Sequence, residues 1–238
     1  MDRFDIITYC SSDCIDLLDQ TIYSWLFCSG ANKVHIYTDH LWEDCRIDKS
    51  AMVYRIFEPT KDVAEHYARK AKALLYHMEN THQKNTGLLL LDIDCLVVRN
   101  IEWLNWCVGD IGVTVYPNIK QEHKLNNISA GFLFLRNLPK TIEFVREWNR
   151  LQEDLAGPDK PSADQASLSE CAKRLDTKFH ITGLPMEHCN SHPNTSSVGE
   201  IKLWLKRVEE NNPSIIHFAF GLWKRKGMMK HVRELCSG

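Results

Sequence analysis

The sequence predicts one α/β domain in which helices cover a mostly parallel central sheet. Two observations carry this prediction. Short apolar runs alternate with amphipathic stretches through residues 4–91, which is the pattern of strands joined by helical crossovers. The run 88–91 consists of four leucines, as in a buried strand. The alternation changes after residue 100, and a smaller antiparallel element is expected in this second half.

The first half contains four predicted strands and two predicted helices. Both helices carry apolar residues at helical spacing, and polar residues or glycine stand at their ends. In chain order the elements are a strand over 4–10, a helix over 15–28, strands over 34–38 and 52–57, a helix over 61–83 and a strand over 88–91. Strands joined in this way gather ligands outside their carboxyl ends.

The second half has a different order of elements. The predicted elements are a short helix over 101–107, strands over 110–116 and 130–135, helices over 141–155 and 164–175, and a strand over 215–220. The Asn- and Ser-rich segment 188–199 is predicted to be a loop. Because no internal repeat or interdomain linker is visible, residues 1–238 are expected to form a single domain.

Charge and cysteine content exclude several classes of function. The chain has 29 Lys and Arg residues against 31 Asp and Glu residues, which gives no support for bulk electrostatic binding to nucleic acid or to an anionic membrane. Its nine cysteines form no Cys-x-x-Cys pair, so neither a zinc ribbon nor a redox dithiol is expected. No signal peptide or membrane-length apolar run is visible, and a soluble, cytoplasmic protein, or one peripheral to a membrane, is expected.

The chemistry centres on two carboxylates that follow the leucine run. Asp92 and Asp94 are two residues apart, so an extended chain would point both side chains to the same side. Two neighbouring carboxylates repel each other unless a positive charge joins them. Mg²⁺ and Mn²⁺ prefer oxygen ligands and can be shared with a diphosphate, which favours a divalent metal site here. The alternative is a solvated strand end with two exposed acids.

The segment 88–98, LLLLDIDCLVV, resembles the Asp-x-Asp strand of GT-A glycosyltransferases, and it is most similar to the glycogenin and bacterial galactosyltransferase group. The resemblance implies a GT-A (Rossmann-like) domain with a nucleotide-binding half over 1–100 and an acceptor and sugar half over 101–238. It also implies a metal-dependent hexosyltransferase with Mn²⁺ or Mg²⁺ as cofactor. The expected partners are a nucleotide-sugar donor, with a UDP-sugar as the first candidate, and a glycan or glycoconjugate acceptor.

Two strands match the donor-binding strands of this family. Thr8 and Tyr9 stand where the end of the family's first strand cradles the base and ribose. Ser129, Ala130 and Gly131 resemble the family's Asn-Ser-Gly strand, which passes beneath the donor sugar. Small residues let a backbone come close to a ligand. For both segments, an ordinary core strand is the alternative.

Two basic segments resemble those that approach the donor. The helix before the Asp-x-Asp strand carries Arg69, Lys70 and Lys72, and its spacing leaves the choice among them open; Lys72 is taken as the donor-binding candidate. A segment near the C-terminus resembles the family's His-Phe-x-Gly-x-x-Lys motif, in which the lysine reaches the diphosphate. One additional residue in this chain makes Lys224 the first choice and Lys226 the second.

The resemblance also implies a metal set and a pair of sugar-binding residues. The metal ligands are Asp92, Asp94 and His217, and an imidazole beside two carboxylates suits Mn²⁺. Asp164 and Gln165 resemble the family's Asp-Gln pair, which bonds the donor sugar's hydroxyls near the anomeric carbon, and they are taken as catalytic candidates. The alternative for Asp164 is a helix N-cap, for which Asp is well suited.

Two other functions remain open at this point. Phosphatases of the haloacid dehalogenase type also end a hydrophobic strand in Asp-x-Asp, but they typically do so on the first strand of the fold. A non-catalytic nucleotide-sugar or glycan binding module would share the fold without the activity. The presence of both aspartates together with His217 favours an enzyme, because binding alone would not need the full metal set.

Overall fold

A seven-stranded sheet forms the centre of the molecule. The computed structural model describes residues 4–40, 51–60, 62–80, 86–116, 125, 127–136, 139–155, 163–189, 191 and 198–218. The strands of the large sheet are β1 (Phe4–Cys10), β2 (Val34–Thr38), β3 (Ala51–Arg55), β4 (Gly87–Leu91), β6 (Ile111–Val115), β7 (Ile128–Leu135) and β8 (Ile181–Pro185). A second, two-stranded sheet pairs β5 (Cys95–Val97) with β9 (Ile215–His217).

The strand order in the large sheet is β3-β2-β1-β4-β7-β6-β8. Within this sheet β7 runs against the other six strands, because it pairs antiparallel with both β4 and β6 while the remaining pairs are parallel. The β5–β9 pair is antiparallel. The predicted α/β fold, with a mostly parallel sheet and a smaller antiparallel element, is therefore confirmed.

Helices pack on both faces of the large sheet. They are α1 (Ile15–Cys28), α2 (Val63–Asn80), α3 (Leu104–Cys107), α4 (Thr141–Leu155), α5 (Ala163–Leu175), α6 (Met186–Cys189) and α7 (Val198–Asn211). One core lies between the sheet and the layer formed by α2, α4 and α5. The other core joins the opposite face to α1, α3, α7 and the small sheet. Side chains alternate between these cores along β1, with Ile6 in one and Ile7 in the other.

Helix α1 fixes the small sheet to the large one. The Trp25 side chain is fully buried, and its indole N–H donates a 2.9 Å hydrogen bond to the Cys95 carbonyl at the start of β5. One residue earlier in the helix, the Ser24 hydroxyl accepts the Val97 N–H at 3.1 Å. Two polar contacts from one helix thus hold the strand that directly follows Asp94.

Several sequence-based boundaries differ from the structure. The strand predicted over 52–57 is Ala51–Arg55, and the helix predicted over 61–83 begins at Val63 and is described as far as Asn80, because residues 81–83 lie outside the described part of the chain. The loop predicted over 188–199 was wrong at both ends, where α6 and α7 lie. Helix α7 is stable in this position because Trp204 is buried in the core and packs edge-on against Phe218. The strand β8 was not predicted.

Among the described residues, no helix combines the length and the apolar character that crossing a membrane requires.

Candidate functional site

The Asp92–Asp94 segment lies at the carboxyl end of β4. The Asp92 N–H donates to the Gly131 carbonyl of β7 at 3.1 Å, and the Asp92 carbonyl accepts the Cys95 N–H at 3.0 Å. The second of these bonds closes a turn, so the two aspartates lie in a reversal of the chain rather than in an extended strand. The turn still directs both carboxylates toward one partner, His217.

The pairing of β5 with β9 brings His217 to these carboxylates. Cys95 and His217 are opposite each other in the ladder, and the Phe218 N–H donates to the Asp94 carbonyl at 2.9 Å. His217 Nε2 consequently lies 3.2 Å from Asp94 Oδ1 and 3.7 Å from Asp92 Oδ2. The three candidate metal ligands named from the sequence are therefore brought together.

Gly131 makes room for the imidazole. A Cβ at this position would lie 2.5 Å from His217 Cε1, 2.8 Å from its Nδ1 and 3.2 Å from Asp92 Oδ2. Any larger residue would displace the ring or the carboxylate. The sequence predicts that small residues on this strand let a ligand come close to the backbone. In the structure, Gly131 instead leaves space for the side chains of His217 and Asp92, two of the candidate metal ligands.

The three side chains suit a divalent cation. Burial raises the pKa of Asp92, Lys70 offsets part of that rise, and the Asp94 carboxylate adds to it. Burial disfavours the charged form of His217, yet the carboxylates of Asp94 and Asp92 raise its pKa overall. A positive charge between Asp92 and Asp94 would therefore stabilise both carboxylates. Two carboxylates and an imidazole form a donor set that fits Mn²⁺.

Cys95 is next to these residues but belongs to the core. Its sulfur lies within 4.8 Å of ligand atoms of Asp94 and His217. Burial raises the pKa of the Cys95 thiol well above its ordinary value, and the neighbouring aspartates add to the effect. The thiol lies 3.7 Å from the Gly131 carbonyl, to which it is a weak donor.

Lys70 joins two acidic residues from different elements. Its Nζ lies 2.6 Å from Asp92 Oδ1 and 2.9 Å from Asp164 Oδ2. Burial opposes the charge on Lys70, but Asp164 and Asp92 overcome this and raise its pKa. The buried ammonium thus links α2 to the end of β4 and to the first turn of α5.

The other two basic residues of α2 lie elsewhere. Lys72, the candidate taken from the sequence, is 41 % exposed and pairs with Glu153 of α4 at 3.4 Å, so the structure does not bring it to the aspartates. Arg69 is buried and pairs with Asp39 at 3.0 Å. Of the three basic residues among which the sequence leaves the choice open, Lys70 is the one that contacts the carboxylates of Asp92 and Asp164.

Asp164 and Gln165 begin α5 beside this lysine. One carboxylate oxygen of Asp164 accepts the Gln165 backbone N–H at 2.8 Å, and the other bonds Lys70. Gln165 and Ser129 both hydrogen-bond to the hydroxyl of Tyr116. Burial raises the pKa of Tyr116, and the carboxylates of Asp92 and Asp164 contribute. Tyr116 was not identified as a site residue from the sequence, although it is the last residue of the strand predicted over 110–116.

The remaining donor-binding candidates are held by protein partners. The Thr8 hydroxyl is buried and donates to the Leu91 carbonyl at 2.8 Å, which ties β1 to the end of β4. The Tyr9 hydroxyl contacts Asp39, Arg69 and, at 2.9 Å, His66.

Ser129 and Ala130 are also buried. The Ser129 hydroxyl accepts the Gly131 N–H at 3.3 Å, and Ala130 packs in the core beneath α2, α4 and α5. Lys224 and Lys226 lie outside the described residues.

Comparison with known proteins identifies the fold. The chain is similar to the crystal structure of a glycosyltransferase involved in the glycosylation of the major capsid of PBCV-1. The TM-score is 0.61 at 12 % sequence identity, over 96 % of this chain and 99 % of that chain. No protein-family model matches the chain, and no curated protein matches it by sequence.

Proposed function

We propose that this protein is a metal-dependent glycosyltransferase that moves a sugar from a nucleoside diphosphate sugar to a hydroxyl of a glycan or glycoconjugate. A UDP-sugar is the first candidate for the donor. The observation that carries this proposal is the convergence of Asp92, Asp94 and His217 at the end of β4, with Lys70 and Asp164 beside them. The similarity of the fold to that of a glycosyltransferase supports it.

The position of the cluster in the sheet also supports the proposal. The strand order reverses between β1 and β4, since β2 and β3 continue on one side of β1 and β4 lies on the other. In open α/β sheets, ligands bind in the crevice outside the carboxyl ends of the strands at such a switch point. Asp92 follows the carboxyl end of β4 at this point.

Each residue has a role in this proposal. Asp94 and His217 hold the metal, with Asp92 assisting through the metal or the donor ribose. When bound, the metal neutralises the charge that develops on the diphosphate leaving group. Lys70 holds the carboxylates of Asp92 and Asp164 in fixed positions, which aligns the reacting groups.

The first turn of α5 would bind the donor sugar. Asp164 and Gln165 bond sugar hydroxyls in the proposal, and Tyr116 orients Gln165 through a side-chain hydrogen bond. The helix N-terminus favours the negative charge of Asp164.

A donor screen tests this function. The purified protein is incubated with UDP-sugars and GDP-sugars, with and without simple glycan acceptors, and release of the nucleoside diphosphate is measured with Mn²⁺, Mg²⁺ or EDTA. We expect release from one donor class, loss of this release in EDTA, and recovery on addition of Mn²⁺. Absence of release from every donor, together with Mg²⁺-dependent hydrolysis of p-nitrophenyl phosphate, would instead indicate a phosphatase.

A further inference from the structure

A second group of metal-ligating side chains lies in the core, away from the Asp92 cluster. Asp5 of β1, His35 of β2 and His77 of α2 are 1 %, 3 % and 1 % exposed, and their ligand atoms all lie within 4.8 Å of one another. Asp5 is paired with Leu88 of β4, four positions before Asp92. At about 3.3 Å per residue, the two clusters are separated by about 13 Å along the strand.

Each imidazole of this group is oriented by a tyrosine. His35 Nδ1 lies 3.2 Å from the Tyr54 hydroxyl, and His77 Nδ1 lies 2.8 Å from the Tyr37 hydroxyl. Nε2 is thus the nitrogen that each ring would contribute, and His35 Nε2 is already 3.3 Å from Asp5 Oδ2. In protein metal sites, the second ring nitrogen is held in this way by an outer partner that fixes the ring.

A bound cation would balance the charge of the buried carboxylate. The Asp5 carboxylate is buried, and its contacts are the His35 imidazole, which forms an ion pair with it only when the ring is protonated, and, at 3.2 Å, the Asn32 amide. Within the described part of the chain, no lysine or arginine forms an ion pair with it. Burying a carboxylate is costly unless it is paired and hydrogen-bonded, and a metal ion would supply a permanent positive partner.

We propose that Asp5, His35 and His77 form a second metal site, distinct from the proposed catalytic centre, that binds Zn²⁺ and crosslinks β1, β2 and α2. Two imidazole nitrogens and one carboxylate oxygen are ordinary zinc ligands, and a water completes a tetrahedral set. Ligand atoms at about 2.0–2.2 Å from a tetrahedral ion are roughly 3.4 Å apart. The separation of 3.3 Å between His35 and Asp5 already matches this value.

The test uses the Asp94→Ala background, which removes a ligand of the other cluster. Metal-stripped protein is titrated with zinc chloride in competition with a chromophoric chelator, and thermal unfolding is followed with and without Zn²⁺. We expect one Zn²⁺ per chain and a higher unfolding temperature with Zn²⁺. Adding His77→Gln should weaken Zn²⁺ binding by at least the roughly 10–100-fold that loss of an outer partner of a ligand causes, whereas His180→Gln, which changes an exposed histidine, should leave it unchanged.

A second variant keeps the test decisive if His77→Gln does not fold. Tyr37→Phe retains all three ligands and removes the hydroxyl that contacts His77, so we expect Zn²⁺ affinity to fall about 10–100-fold. A folded Asp94→Ala protein that binds no Zn²⁺ would overturn the proposal. Zn²⁺ affinity that neither Tyr37→Phe nor His77→Gln reduces would also overturn it. Because the measurements are metal binding and unfolding, failure here is distinguishable from failure of the proposed transferase activity.

Discussion

Replacing Lys70 by Met lowers the free energy of unfolding by about 3 kcal/mol or more, which is the cost of removing one partner from a buried ion pair. The substitution leaves the carboxylates of Asp92 and Asp164 together in a buried site without the ammonium that joins them at 2.6 and 2.9 Å. The effect is measured by urea denaturation of the metal-free protein. It should be smaller with Mn²⁺ present, because the proposed metal also neutralises Asp92.

Lys72→Met is the matched control for this substitution. Lys72 is on the same helix, has a side chain that is 41 % exposed and forms an ion pair with Glu153 at 3.4 Å. Exposed pairs of this kind contribute about 1 kcal/mol or less, so the control should unfold nearly as the parent protein does. Equal stability of the two variants would show that the Lys70 contacts are not a stabilising link.

The same two variants separate the roles of the lysines in turnover. Lys70→Met should lower kcat/KM for the nucleotide-sugar by about a hundredfold, because Asp92 and Asp164 lose their fixed positions. Lys72→Met should leave kcat/KM almost unchanged. If Lys72→Met lost activity and Lys70→Met did not, Lys72 would be the donor-binding residue, as the sequence predicts.

Replacing Gly131 by Ala should weaken Mn²⁺ binding by at least about tenfold, the scale seen when the support of a metal ligand is disturbed. The added methyl would lie 2.5 Å from the His217 ring, so the ring must move away from Asp94. His217 is buried, and overpacking of this kind also costs about 1–3 kcal/mol of stability. Mn²⁺ affinity is measured by calorimetric titration of the metal with the purified variant.

Gly183→Ala is the control for the Gly131 substitution. Its added methyl would meet Val115 at 3.1 Å in the large sheet and would not contact any ligand of the proposed metal. We expect unchanged Mn²⁺ affinity in this variant. If both alanine variants bound Mn²⁺ as the parent protein does, His217 would not be a ligand.

The sequence predicts well where apolar periodicity is strong. The helix predicted over 141–155 and the strand predicted over 4–10 have the same bounds in the structure. Helix α7 is not predicted although Trp204 and Val208 are at helical spacing, because the preceding segment is rich in Asn and Ser, which is the composition of a loop. Composition alone is a weak guide at such a boundary.

The sequence does not identify which basic residue of α2 contacts Asp92. Three of them lie within four positions, so motif spacing could not separate them. Helical phase separates Lys70 from Lys72, since four residues after Lys70 is the fully buried Leu74 and four residues after Lys72 is the exposed Tyr76. It does not separate Lys70 from Arg69, which is four residues before the fully buried Ala73.

The Asp5–His35–His77 group has no local signal at all. It depends on the register between β1 and β2, in which Ile7 is opposite His35, and on the docking of α2 against both strands.

The central claim is that Asp94 and His217, with Asp92, hold a metal that binds a nucleoside diphosphate. The most direct test of this claim is isothermal titration of the protein with UDP and with GDP, each with and without Mn²⁺. The same titrations are then repeated on the Asp94→Ala variant. The account predicts that one nucleotide binds in the presence of Mn²⁺ and that Asp94→Ala loses this binding. Failure of both nucleotides to bind under any metal condition, or undiminished binding to a folded Asp94→Ala protein, would contradict it.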